Sequence, residues 1–115
     1  MGARAQIKVE QGPHPVYLYT HWGSGVILKS TQDGMIAGKG RWNDSEYLTR
    51  ILFDNIRTSG DDPVTGYGIG TDLHGDVDCH VVVDCEERMV SYHKYQNEEP
   101  EKQWSFDDFI VEDFN

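Results

Sequence analysis

Hydrophobic positions along the chain follow two periods, one near 2 residues and one near 3.6, and the change of period divides it into elements. Residues 7–9 and 16–20, the latter VYLYT, have the β-branched and aromatic chemistry of strands. Between them lies EQGPHP, whose Gly12, Pro13 and Pro15 force a turn. The clearest helix is NDSEYLTRILFDNIRTSG, residues 43–60. At about 100° per residue Leu48, Ile51, Leu52, Asn55 and Ile56 gather on one face, while Glu46, Arg50, Asp54 and Arg57 line the other. Asn43 is placed to cap this helix and Glu46 to answer it, with Gly60 and then Pro63 as the stop. Glu46 also stands four residues before Arg50, the favourable order for an ion pair of about 0.3 kcal/mol.

The stretch GVILKSTQDGMIAGKG supports two readings. Asp33-Gly34 between VILK and MIAG reads as a hairpin turn. Leu28, Thr31, Gln32, Met35 and Ile36 instead fall at helical spacing, with Gly34, Gly38 and Gly40 weakening that helix. After the glycine-rich TGYGIG, DCHVVVDC and RMVSYHKY read as two antiparallel strands joined through Glu86-Glu87, with Val81–Val83 apolar enough for a sheet interior. In WSFDDFIVEDF, Ser105 and Asp108 form a capping pair, and Trp104, Phe106, Phe109 and Ile110 dock a short helix or strand. The expected fold class is therefore α+β: an antiparallel sheet of about four strands with one or two helices packed on one face. A length of 115 residues fits one domain, residues 1–115, with an acidic C-terminal segment from about residue 97.

Charge sharpens this picture. The formal net charge is −10, but residues 1–50 carry six Lys/Arg against four Asp/Glu, whereas residues 51–115 carry four against sixteen. A C-terminal half of that sign repels free nucleic acid and anionic membrane and attracts a basic protein surface. Solvated acidic faces also keep proteins soluble, which accounts for the same charge without a partner. No apolar run approaches the ~20 residues of a membrane span, and MGARAQIKVE lacks a signal-peptide core, so a cytoplasmic protein is expected. Cys79 and Cys85 lie along one apparent strand, too extended to close on each other, and are expected as reduced thiols in the core.

The succession VYLYTHWGSG, GKGRWNDSEYLTRILFDNI, TGYGIG, CHVVVDCEERMVSYH and WSFDDFI resembles a group of small uncharacterised proteins encoded by phages and prophages. Their pattern is a strand ending in a Tyr-Thr-His-Trp-Gly-like turn, a helix, and an Arg-Trp-Asn/Asp start to a second helix. The resemblance covers most of the chain, implies a viral or prophage origin, and with it a host-cell setting for the expected cytoplasmic location, but little about activity, and it tilts the ambiguous segment 26–38 toward helix. This chain departs from the pattern in the three glycines there and in its more acidic tail.

Three stretches carry candidate chemistry. His21-Trp22 ends a strand and Arg41-Trp42 precedes the capped helix, and if those ends converge they form one pocket. Indole faces stack on bases, and a guanidinium beside free helical N–H groups suits phosphate. The candidate ligand-binding set is His21, Trp22, Arg41, Trp42, Asn43, Tyr47, Arg50 and Tyr67. The competing reading places both tryptophans in the core, with His21 bonded to backbone. A second stretch, DLHGDVDCH, would set Asp72, His74, Asp76, Asp78 and His80 on one strand face, but it matches neither an EF-hand nor a zinc spacing, and no metal or other cofactor is expected. The third is catalytic: Ser24 in WGSGV lacks the second flank of a nucleophile elbow, and GYGIG has no phosphate-loop lysine, so no catalytic residue is assigned. Two functions follow. One is an anti-defence binding protein that sequesters a small molecule such as a cyclic nucleotide immune signal, and the other an acidic inhibitor that docks on a basic host defence protein. A homo-oligomer joined through VVVDC at an exposed sheet edge accords with either.

Overall fold

The computed structural model describes residues 3–58 and 65–114. Its strands are β1 (Ala5–Glu10), β2 (Val16–Thr20), β3 (Tyr67–Gly70), β4 (Cys79–Asp84), β5 (Met89–Lys94) and β6 (Lys102–Ser105). The helices are α1 (Ile27–Ala37), α2 (Ser45–Thr58) and the short α3 (Phe106–Phe109), with a 3₁₀ turn at Lys39–Arg41. The strands form one six-stranded sheet in the order β3-β2-β1-β4-β5-β6. Every neighbouring pair is antiparallel except β1 and β4, which run parallel at the centre with Ala5 beside Cys79 and Glu10 beside Asp84.

The α+β class is as expected, but the sheet is larger than four strands and mixed. Two short edge strands account for the excess. β3 is half glycine and β6 is four residues long, so neither shows the alternation that marks a strand. A further correction concerns Val81–Val83 and Asp84. They belong to β4, which is paired on both sides, so this stretch is no exposed edge, and the edges of the sheet are β3 and β6.

Alternation along the central strands separates two faces. Ala5, Ile7 and Val9 of β1, Leu18 of β2, Cys79, Val81 and Val83 of β4 and Val90 of β5 point to one side, where they join Ile27, Met35, Leu48, Leu52 and Ile56 of the helices in one core. Each fully buried aliphatic side chain of this kind contributes about 1.5–3 kcal/mol relative to exposure. α1 lies over β1 and β4, α2 over β2 and β1, and α3 against β5 and β6.

The ambiguous segment is the helix α1, and its glycines are contact points. A Cβ on Gly34 would stand 2.7 Å from Leu52 Cδ2 and 3.2 Å from Leu52 Cα, and one on Gly38 would stand 2.8 Å from Leu48 Cδ1. Gly34 weakens α1 locally and admits α2 to close range. α2 begins one residue later than the capping expectation. The Asp44 carboxylate, not Asn43, accepts the Tyr47 N–H at 3.4 Å, and Asn43 Oδ1 instead accepts from the Arg88 guanidinium at 2.8 Å. Arg50 pairs with Asp54 at 2.7 Å rather than with Glu46. The expected stop at Gly60 and Pro63 lies outside the described residues. Ser105 caps α3 as read from the sequence, its hydroxyl accepting the Asp108 N–H at 3.1 Å.

Candidate functional site

The sequence-predicted site residues fall into two groups at opposite ends of the sheet. His21, Trp22 and Tyr67 lie where β2 ends and β3 begins, the His21 N–H donating to the Gly66 carbonyl at 2.8 Å and Thr20 pairing with Tyr67. Trp22 is 53% exposed and stands edge-on to His21, which lies 3.0 Å from the Tyr19 hydroxyl through Nδ1. Arg41, Trp42, Asn43, Tyr47 and Arg50 surround the start of α2, near Arg88 in the β4–β5 turn. The 11 residues of α1 separate the two groups by about 16 Å of helix. Trp42 is a core residue. It is 5% exposed, its indole N–H donates to the Met35 carbonyl at 3.0 Å, and its ring meets Phe106 at 5.2 Å. Arg41 stacks over the Tyr47 ring at 4.5 Å on the surface. The structure thus brings Arg41 to Tyr47 but does not bring Trp22 to Trp42.

The polar stripe at 72–80 is a second correction. Residues 71–78 form a loop, and only Cys79 and His80 are in a strand, so the five polar side chains share no strand face. Among the described residues, no group of three or more His, Cys, Asp and Glu side chains is placed to hold a metal ion. The loop instead folds over one end of the sheet. Gln6 of β1 is fully buried beneath it, donating to the Asp72 carbonyl at 3.2 Å and accepting the His74 N–H at 2.7 Å. His74 in turn stacks on Tyr19 at 4.6 Å.

Beyond that loop the second sheet face carries no helix among the described residues and forms a basin of about 680 Å³. Its floor is the other half of the strand alternation: Lys8, Tyr17, His80, Val82, Ser91, His93 and Gln103. Gln96, Asn97, Glu98 and Pro100 from the β5–β6 connection wall one side, with Asp84 and Glu87 at the end near the β4–β5 turn. Among the described residues the lining holds four carboxylates, Glu10, Asp84, Glu87 and Glu98, against the single ammonium of Lys8. That ammonium is committed to Glu10 at 3.1 Å and lies 5.9 Å from the centre of the Tyr17 ring. Burial opposes the charge on Lys8, yet the hydrogen bond and charge of Glu10, helped by Tyr17, leave its pKa raised.

Two imidazoles form the centre of the floor. His80 and His93 face each other across β4 and β5 and stack with centroids 4.5 Å apart at 12°. Each anchors the wall: His80 Nδ1–H donates to the Tyr95 carbonyl at 2.8 Å, and His93 Nδ1–H to the Asn97 carbonyl at 3.0 Å. The Ser91 hydroxyl donates to His93 Nε2 at 2.8 Å. Burial, with smaller contributions from His93 and Lys8, pushes the His80 pKa below 6.5 despite the Tyr95 bond, so the ring is neutral at pH 7. The Ser91–His93 contact has the reach of a nucleophile and its base. Acyl transfer also needs converging N–H donors at the developing oxyanion, and the N–H groups of β5 around Ser91 are engaged in pairing with β4 and β6.

This basin was not visible in the sequence. Gln6, His80 and His93 stand in one row only because β1 pairs with β4 in parallel, and no local motif encodes that pairing. No family model, curated protein or solved structure matches the chain.

Proposed function

We propose that the chain is a binding protein whose working surface is the open sheet face, and that its partner is the cationic surface of another protein. The observation that carries this reading is the charge of the basin: four carboxylates against one ammonium, itself already paired. A positively charged segment gains from that field, whereas the phosphates of a nucleotide meet repulsion there. The resemblance to phage-encoded proteins extends the proposal. The partner would be a basic host defence protein in the host cytoplasm, whose nucleic-acid surface the acidic face occupies.

Sequestration of a cyclic nucleotide is a second reading, favoured by the exposed stack of Arg41 on Tyr47. It would use the α2 end of the molecule and leave the basin unused. Titration with an arginine-rich peptide, a glutamate-rich peptide and a cyclic-nucleotide panel separates the two. The primary reading expects the arginine-rich peptide alone to bind, with affinity falling as salt is raised. Binding of a nucleotide that Arg41→Ala abolishes, with none of the arginine-rich peptide, overturns it in favour of the second.

A further inference from the structure

The following inference rests on the cationic-partner reading and concerns the atom that recognises the partner. His80 is only 5% exposed, yet its hydrogen bonding is incomplete. Because the Tyr95 carbonyl can only accept, Nδ1 carries the proton and Nε2 keeps its lone pair. Among the described residues, no backbone or side-chain donor bonds to Nε2. Every wholly enclosed side-chain nitrogen and oxygen among the described residues does have a partner, so Nε2 opens onto the basin that His80 lines. Its stacked neighbour His93 makes the contrast plain, since both of its nitrogens are engaged, by Asn97 and Ser91. Of two parallel rings in one floor, one is saturated and the other awaits a donor.

The nearest ammonium on the floor does not fill that role, because Lys8 is held by Glu10. The carboxylates around the basin select a cation as the source of the missing N–H. A guanidinium suits this place better than an ammonium. It is planar, less strongly hydrated, and has five N–H groups, so that one can serve a nearly buried imidazole while others face carboxylates. We propose that the basin seats an arginine side chain from an extended basic segment of the partner protein, with one guanidinium N–H donated to Nε2 of His80. His80 is then a specificity residue that reads a donor rather than a charge.

The groups facing His80 set the pH response. They are its cross-strand partners Gln6 of β1 and His93 of β5, the Tyr95 carbonyl from the connection to β6, and Lys8, whose charge acts on the ring; the basin lining adds the carboxylates Glu10, Asp84, Glu87 and Glu98. Protonation of His80 removes the acceptor and adds a positive charge beside Lys8, so affinity for the segment falls as pH drops below the histidine range.

The test is calorimetric titration of the full chain with a dodecapeptide alternating arginine and serine, at pH 8 and pH 5.5. His80→Asn keeps a donor toward the Tyr95 carbonyl while removing the Nε2 acceptor. It is expected to weaken binding about ten- to a hundredfold at pH 8, the loss typical of a hydrogen bond to a charged group, and to bind with less pH dependence than the wild type. Equal affinity of His80→Asn and wild type overturns the His80 assignment, and a lysine–serine peptide that binds equally well overturns the choice of guanidinium. The double variant Glu87→Gln/Glu98→Gln examines the underlying reading by itself. If it binds like the wild type, or if the wild type binds neither peptide, the cationic-partner reading fails. In case His80→Asn does not fold, ¹⁵N spectra of the wild type decide. The His80 Nε2 resonance should move on peptide addition, and one that stays fixed at saturation rules the contact out.

Discussion

The two faces of the sheet are built from the same strands and differ in nearly every physical respect. Along β1, Ala5, Ile7 and Val9 turn to the helices, while Gln6, Lys8 and Glu10 turn away; along β4, Cys79, Val81 and Val83 oppose His80, Val82 and Asp84. One face is apolar, closed and packed between helices. The other is polar and open, with Gln6, His80 and His93 hydrogen-bonded to two loops. The difference teaches that strand alternation assigns stability and recognition to alternate residues of one segment, so neighbouring positions should respond very differently to substitution.

The largest expected effect is on the covered side. Trp42→Ala removes a buried indole that packs on Phe106 and should cost about 3–5 kcal/mol in urea unfolding. A loss under 1 kcal/mol would show that Trp42 is not a core residue. Adjacent substitutions in β4 sharpen the contrast. Val81→Thr buries a hydroxyl without a partner and should cost about 1–3 kcal/mol, whereas Val82→Thr, on the open face, should change stability by less than about 0.5 kcal/mol. Equal costs at 81 and 82 would mean that the two faces are not distinct.

The pH profile divides along the same line. His80, with its pKa held below 6.5, gives stability that is complete above pH 6.5 and is lost as pH falls toward the depressed folded value. Melting temperatures measured from pH 7.5 to 5 should therefore fall, and less steeply in His80→Asn. The alkaline limb draws on the covered side as well as on Lys8, whose pKa is raised on the open face. Burial pushes the Cys85 thiol up to about 11, and burial with the neighbouring Cys79 thiol pushes Tyr92 up to about 12. Their stabilising contribution is whole below pH 9–10, the unfolded range, and is lost as pH rises through those values. Cys85→Ala should flatten that limb alone. The smallest effect expected is that of Trp22→Ala, at most about 0.5 kcal/mol, since the side chain is half exposed. A loss like that of Trp42→Ala would place Trp22 in the core.

What was legible in the sequence depended on whether a contact was local. α2 could be read because its period and its polar start lie within one continuous stretch, and the β4–β5 hairpin because both strands adjoin their turn. α1 stayed open between helix and hairpin because the reason for Gly34 is Leu52, a residue of another helix. The separation of Trp22 from Trp42 was illegible for a related reason. Two element ends can be recognised from residue types, but which end of the sheet each reaches depends on α1 running its length. The alternation of 72–80 resembled a strand because a loop over the end of the sheet, with Val77 buried and Leu73 half-buried against the basin, shows the same period. The row Gln6, His80, His93 had no signature at all, since its members come together only through sheet register.

That register has a kinetic side. The parallel seam of β1 and β4 joins an N-terminal hairpin to a C-terminal meander, and everything from β2 to β3 lies between the two strands that form it. The hairpin and the meander can each assemble from contacts close in sequence, while the seam, like the β2–β3 pairing, must close a long loop. Until it does, β1 and β4 both present an unpaired edge, and that of β4 displays three consecutive valines. Refolding of this chain is therefore expected to set a first-order closure against second-order association through the same edge, with a yield that falls as protein concentration rises.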